Sequence, residues 1–286
     1  MEIVASNYPS LGFSKVVGMG NKVDVEDYEV LDFLLKDEKT SVVGMYVEGV
    51  KNGRALFEVA RNASKPIVVF KTGRTEYGKR AALSHTASMA GDDDVFDAFC
   101  RQANIVRVYS FEEMFNVTKA FSMQPLPEGD NVAVVHYTGS GCVQAADAAY
   151  FASLKLAELS EDSVKRLESV NPEWHRVANP VDIWPAVGEV GTQRAYDTAI
   201  ETLLSDENVD ALVVALWASS SLREPYQPDF RKLGDLGKPV YFVVEGPRDA
   251  TFEMELCGFP TYPDVITALN VLGKVVNYAK RKSGRN

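Results

Sequence analysis

The stretch Lys71–Gly91, KTGRTEYGKRAALSHTASMAG, sets one of the chain's three histidines, His85, among Ser, Thr, Ala and Gly. Lys71, Arg74, Lys79 and Arg80 precede it against a single acid, Glu76. A neutral imidazole attacks phosphorus readily, and small neighbours leave space for a phosphate. Such chemistry also calls for a carboxylate that orients the ring and stabilises its tautomer or cation. Glu48, in Tyr46-Val-Glu-Gly49, stands at the matching edge of the same predicted sheet. Two plainer readings stay open: His85 as an exposed or hydrogen-bonded loop histidine, and Glu48 as an exposed strand-end acid. A metal site is poorly supported, because His136 and His175 are remote and no H-x-x-x-H or C-x-x-C spacing occurs.

A second stretch, Thr138-Gly139-Ser140-Gly141-Cys142, joins an apolar run to a helical pattern. Glycines there permit close backbone approach, and a helix start offers unpaired N–H groups with a positive dipole end. That is an anion seat. The alternatives are a tight strand-to-helix turn without a ligand, or a dinucleotide fingerprint with Glu158 downstream for a ribose. The fingerprint lacks its third glycine, because Gln144 stands there. A nucleophile elbow fails, since Thr138 occupies the position that needs glycine before Ser140. Asp92-Asp-Asp94 reads as a helix N-cap in preference to a metal site. Cys142 is either a thiol of lowered pKa at a helix start or a small buried hydrophobe. Trp174 and Trp217 read as core residues.

Both stretches must be held by strands. Ser41–Val47, Pro66–Phe70 and Asn104–Val108 are apolar and β-branched, with helical spacing over Gly53–Asn62 and Asp94–Gln102 between them and Phe111–Ser122 after. Strands so far apart with an intervening helix form βαβ units. The polar, proline-bearing Gln124–Asp130 marks a domain break. The alternation then restarts: Val132–Tyr137, a helix over Cys142–Ala152, a short strand near Leu154, helices Glu161–Val170 and Gly191–Leu204, strands Ala211–Trp217 and Pro239–Glu245, and a final helix Pro263–Lys282. Near-continuous apolar strands imply parallel sheets covered on both faces. The expected fold class is therefore α/β, with two doubly wound domains over residues 1–125 and 130–286. In such sheets ligands bind beyond the carboxyl ends of the strands, where both stretches lie.

The net charge of −10 argues against nucleic-acid binding, so a local basic stretch points to a small anion. No apolar run approaches a membrane span, and MEIVASNYPS lacks a signal-peptide pattern. Cys100, Cys142 and Cys257 are odd in number and far apart, which reads as reduced thiols in a cytoplasmic protein.

The chain resembles the NDP-forming acyl-CoA synthetases, relatives of succinyl-CoA synthetase and of ADP-forming acetyl-CoA synthetase. The resemblance runs through GFSKVVGMGNKVDV (Gly12–Val25), YVEGVKNGR (Tyr46–Arg54), KPIVVFKTGR (Lys65–Arg74), SHTASMAG (Ser84–Gly91), PLPEG (Pro125–Gly129) and NPVDI (Asn179–Ile183). It implies two flavodoxin-like, succinyl-CoA synthetase-like domains. It further implies that His85 is transiently phosphorylated, that Glu48 supports it, and that Thr138, Gly139, Ser140, Gly141 and Cys142 give a helix start to the phosphate. The basic residues would attract the anion. The chain departs from the family pattern at Ala87, where a motif glycine is usual, and in TGSGC, where G-G-P-G is usual. The upstream S-Q-S-G segment, the CoA-binding Rossmann domain and the ATP-grasp domain have no counterpart in it. The expectation is a phosphohistidine core holding no cofactor of its own, with CoA, ATP or ADP, and Mg on partner domains. Its partners would be a CoA-binding domain, an ATP-grasp subunit or domain, and phosphate or acyl phosphate, in an oligomeric assembly. The alternatives are a non-catalytic regulatory or scaffold module of the same fold, and a dinucleotide-binding protein.

Overall fold

A computed structural model describes residues 10–86, 91–217, 225–246 and 249–284. The chain forms two compact units, Met1–Ser122 with Arg281–Asn286, and Met123–Lys280.

In the first unit, β1 (Val43–Val47), β2 (Ile67–Lys71) and β3 (Val106–Val108) form a parallel sheet in chain order. Strand periodicity sends Val43, Val47, Ile67 and Val69 to one face. There they pack with Leu31 of α1 (Asp27–Lys36), Leu56 and Ala60 of α2 (Gly53–Arg61), and Phe96 and Cys100 of α4 (Asp93–Gln102). The alternate residues meet α5 (Phe111–Met123). Gly44 faces Thr118 and Met114, and the Tyr46 and Phe70 rings pack on Phe111. Each α-helix begins on a sequence signal. Asp92 accepts hydrogen bonds from the Asp94 and Val95 amides, the predicted cap. Asn52 does the same for α2.

One segment differs from expectation. The sequence predicts a loop over Lys71–Gly91, whereas α3 occupies Glu76–Thr86. Its first turn is fixed by the Thr75 hydroxyl, which accepts from the Gly78 amide at 3.1 Å. Small and charged residues give this helix no continuous apolar stripe, which is the signal that periodicity needs.

The second unit holds a six-stranded parallel sheet in the order β5 (Lys155–Leu156), β4 (Asn131–His136), β7 (Ala211–Trp217), β8 (Val240–Glu245), β9 (Thr261–Tyr262). The sixth strand, β6 (Val181–Asp182), pairs with the upper part of β4 through Val135↔Val181 and His136↔Asp182. From β4 the chain goes outward to β5 and β6, then crosses to β7 on the other side. That reversal makes a switch point between β4 and β7, where ligand clefts form in doubly wound sheets. Ala133, Val135, Leu212 and Val214 face α9 (Thr192–Ser205) through Ala195, Ala199, Ile200 and Leu203. On β4's flank, α6 (Gly139–Phe151) buries Ala145, Ala148 and Ala149. Asn179 spans the gap between β5 and β6: its side chain accepts from the Val134 amide and donates to the Val132 and Ala157 carbonyls. A side chain thus completes the ladder where the strands are too short, and it holds β6 with Asp182 at the sheet's carboxyl edge. α7 (Glu161–Glu168), α8 (Trp184–Val190), α10 (Phe230–Asp235), α11 (Asp249–Leu256) and α12 (Val265–Ser283) complete the unit.

Candidate functional site

In the first unit, Glu48 follows the last residue of β1 and is half-buried. Thr72 extends the pairing of β2 with β1, donating its amide to the Val47 carbonyl at 3.1 Å. The Tyr46 hydroxyl donates to Glu48 Oε1 at 3.2 Å and lies 3.2 Å from Thr72 Oγ1. Its ring is held by Phe111 and Phe70, with centroids 5.1 and 5.6 Å away. Glu48 is therefore oriented by a tyrosine whose ring is braced by two phenylalanines while remaining 43% exposed. Sequence reasoning found the carboxylate and missed its partner, although alternation along β1 sends residues 46 and 48 to one face.

His85 belongs to the last turn of α3, and its side chain lies outside the described residues. Residues 87–90 of the motif lie outside them as well.

The cations of the stretch are not an unopposed basic patch, which corrects the expectation. Arg74 pairs with Asp93 at 3.2 Å and stacks on Tyr109 at 4.2 Å. Lys79 pairs with Glu76 at 3.1 Å, and Arg80 donates to the Glu76 carbonyl at 3.3 Å. Asp93 also binds the buried Arg107, whose guanidinium lies 3.3 Å from Asp97. These acids come from α4, beyond the stretch, so counting charge within the stretch overstated its field. Lys71 is 2% exposed, donates to the Thr72 carbonyl at 3.0 Å and sits 5.7 Å over Phe96. Burial lowers its pKa, with the neighbouring cations adding to the effect and Asp93 opposing it.

In the second unit, Thr138 caps α6, accepting from the Gly141 amide at 3.0 Å. Among the described residues, no hydrogen bond occupies the Gly139 and Ser140 amides, which leaves a helix start able to take an anion. The glycines have a second cause. A Cβ on Gly141 would fall 2.0 Å from His136 Cε1, and one on Gly139 would fall 3.2 Å from Asp182 Oδ2. The helix start therefore rests on the His136 ring and beside a carboxylate. His136 Nδ1 accepts from the Thr138 amide at 3.1 Å, so that nitrogen carries no proton. Burial holds the His136 pKa below its usual value, against the pull of Glu245 and Asp182. Replacing Gly141 by Ala is expected to destabilise the second unit by about 1–3 kcal/mol, as overpacking does. His136→Ala in the same chain should recover part of the loss, since the two sites are in contact. Additive unfolding free energies would contradict this packing.

Burial and Asp182 push the Cys142 thiol up to about 12, away from the lowered value that a reactive thiolate needs. Tyr137 donates its hydroxyl to Glu245 and lies between the His136 ring, at 4.7 Å, and the Trp217 ring, at 6.3 Å. Trp217 is 42% exposed and Trp174 76% exposed, so neither is core. The former ends β7 and stands above the sheet instead of inside it. Among the described residues, no cluster of His, Cys, Asp and Glu is arranged to hold a metal ion. No described helix is long and apolar enough to cross a membrane.

Residues 2–121 match the family model of the succinyl-CoA ligase like flavodoxin domain. Over 99% of its length the chain is 64% identical to acetate–CoA ligase [ADP-forming] II of Archaeoglobus fulgidus, spanning 42% of that protein. It is 34% identical, over 96% of its length, to the alpha subunit of acetate–CoA ligase [ADP-forming] I of Pyrococcus furiosus, covering 60% of it. Over nearly all of its length the chain is thus similar to a part of ADP-forming acetate–CoA ligases. A solved relative, the dinucleotide forming acetyl-coenzyme A synthetase 1 of Ca. Korarchaeum cryptofilum in complex with phosphate and ADP, superposes with a TM-score of 0.84 at 30% identity. That match covers 97% of this chain and 61% of the solved one. The chain spans between about two fifths and three fifths of these relatives.

Proposed function

We propose that this chain is the phosphohistidine core of an NDP-forming acyl-CoA synthetase, catalysing with its partner domains acyl-CoA + ADP + phosphate = carboxylic acid + CoA + ATP. The observation that carries the proposal is Glu48, fixed by Tyr46 at the carboxyl edge of a sheet whose next strand leads into the helix bearing His85. Phosphate attacks the thioester carbonyl, the C–S bond breaks, and CoA leaves as the thiol. An imidazole nitrogen of His85 then attacks the phosphorus of the acyl phosphate. The P–O bond to the acyl oxygen breaks and the carboxylate departs with that electron pair. A terminal oxygen of ADP attacks the phosphohistidine, the P–N bond breaks, and His85 returns with ATP formed. Glu48 holds the second ring nitrogen and stabilises the charge that develops on the ring. The amides at Thr138–Cys142 offer a dipole end to the phosphoryl oxygens. CoA belongs to a CoA-binding domain, and ADP with Mg to an ATP-grasp domain. The dinucleotide reading loses its support, because His136 and Asp182 account for the glycine spacing.

The chain by itself is expected to bind neither CoA nor ATP tightly by calorimetry, and to turn over only when both partner domains are supplied. Micromolar CoA binding, or ADP-dependent cleavage of acyl-CoA by the chain alone, would contradict this division of labour.

A further inference from the structure

β2 ends at Lys71, but the next residue, Thr72, is still tied to the sheet. Its amide donates to the Val47 carbonyl at 3.1 Å, and its carbonyl accepts from the Lys71 ammonium at 3.0 Å. Its hydroxyl lies 3.2 Å from the hydroxyl of Tyr46, the tyrosine that holds Glu48. We propose that Thr72 is a positioning residue for phosphoryl transfer to His85: it sets the direction of the hydrogen bond that Tyr46 gives to Glu48. The assignment rests on the ligase reading above.

The proton count decides that direction. A phenol has one proton to give, and an ionised carboxylate can only accept. The Tyr46 oxygen lies equally close, at 3.2 Å, to Glu48 Oε1 and to Thr72 Oγ1. With the Tyr46 proton on Glu48, the Thr72 hydroxyl is the donor to the Tyr46 oxygen. The reverse arrangement, with Tyr46 donating to Thr72, would leave Oε1 facing a phenol lone pair. Thr72 therefore turns the tyrosine towards the carboxylate. A donor on the phenol oxygen also strengthens the hydrogen bond that the phenol gives.

The fold fixes the Thr72 hydroxyl from both faces of the sheet. Lys71 and Thr72 point to opposite faces, as strand alternation requires. Lys71 is buried over Phe96 and holds the Thr72 carbonyl from one side. Tyr46, braced by Phe70 and Phe111, meets the hydroxyl on the other. Both backbone polar groups of Thr72 are engaged, and its β-branched side chain has few choices of χ1. Glu48 Oε2, in contrast, takes no hydrogen bond among the described residues. One carboxylate oxygen is thus held and the other is left for an imidazole N–H, which is what a ring-orienting carboxylate needs.

The test is the rate of His85 phosphorylation from ATP, with the partner domains supplied. Thr72→Val keeps the branched shape and removes the donor. It should slow the transfer about fivefold, the effect of one net hydrogen bond, with the thermal midpoint near wild type. In steady state the loss should fall on kcat, with KM for ADP unchanged. Thr72→Ser returns the hydroxyl and should restore the wild-type rate. The deciding readout is a double-mutant cycle with Tyr46→Phe. Thr72 acts through Tyr46, so Thr72→Val should slow the transfer no further in that background, whereas a merely structural role would give the same fivefold loss again. Should the Val variant fail to fold, Thr72→Ala enters the cycle in its place. An unchanged rate in Thr72→Val, no recovery in Thr72→Ser, or additive losses in the cycle would each overturn the proposal. A wild-type chain that takes up no phosphoryl group on His85 would defeat the ligase reading and this proposal with it. A phosphorylated wild type with an indifferent Thr72→Val would defeat the role of Thr72 alone.

Discussion

Replacing His85 by Asn abolishes phosphoryl uptake by the chain while leaving its unfolding transition close to wild type. Asn removes the nucleophilic nitrogen and keeps a polar side chain of similar reach, so the lost property is the capacity to form a P–N bond. The label on the wild-type chain should be stable to alkali and labile to acid. The measurement is intact mass after incubation with acetyl phosphate, or with ATP and the ATP-grasp partner. Retention of the added phosphoryl mass in the variant would move the acceptor elsewhere. His136 is a poor substitute. It is 4% exposed, lies under Gly141, and its Nδ1 is engaged by the Thr138 amide.

Glu48→Gln slows His85 phosphorylation at least tenfold, about 1.4 kcal/mol of barrier, with little change in thermal midpoint. The side chain is half-buried at a strand end and, among the described residues, accepts a hydrogen bond from the Tyr46 hydroxyl. Gln still accepts that hydrogen bond, so the local structure is conserved and the charge alone is removed. An imidazole acquiring a positive charge in the transition state then loses its counter-charge. Tyr46→Phe separates orientation from charge: it keeps the carboxylate, removes the hydroxyl and should cost less than the Gln variant. Stopped quench-flow phosphorylation of the three proteins checks the order. Equal rates in all three would make Glu48 a bystander.

The strands were legible because they are short β-branched runs between turn residues, and Ala211–Trp217 occupies the span its sequence predicts. The cap at Asp92 was legible for the same local reason, since a side-chain oxygen and its amide partners lie within one turn. Some helices escaped. α3 lacks an apolar stripe, and α1 announces itself mainly through the reciprocal Glu26–Glu29 capping box, with Leu31 its fully buried anchor. Of the two-residue strands, β5 was found near Leu154 while β6 and β9 escaped: β6 has too few residues to show a period, and it is held by Asn179 from outside the strand. At the site, the single residues Glu48 and Thr138–Cys142 stood out by type and position. Their partners did not, because contacts such as Arg74 with Asp93, Gly141 with His136, and Tyr137 with Glu245 are made by the fold. The same holds for Trp217. An aromatic at the end of a buried strand looks like core until the sheet edge is located.

The most direct test of the account is phosphosite mapping of the wild-type chain under alkaline conditions, after incubation with ATP and the ATP-grasp partner. The account predicts one phosphoryl group, on His85, discharged to ATP when ADP is added. A stable phosphoryl group on His136, His175 or a hydroxyl residue, or no modification of a chain that still supports acyl-CoA cleavage with its partners, would contradict it.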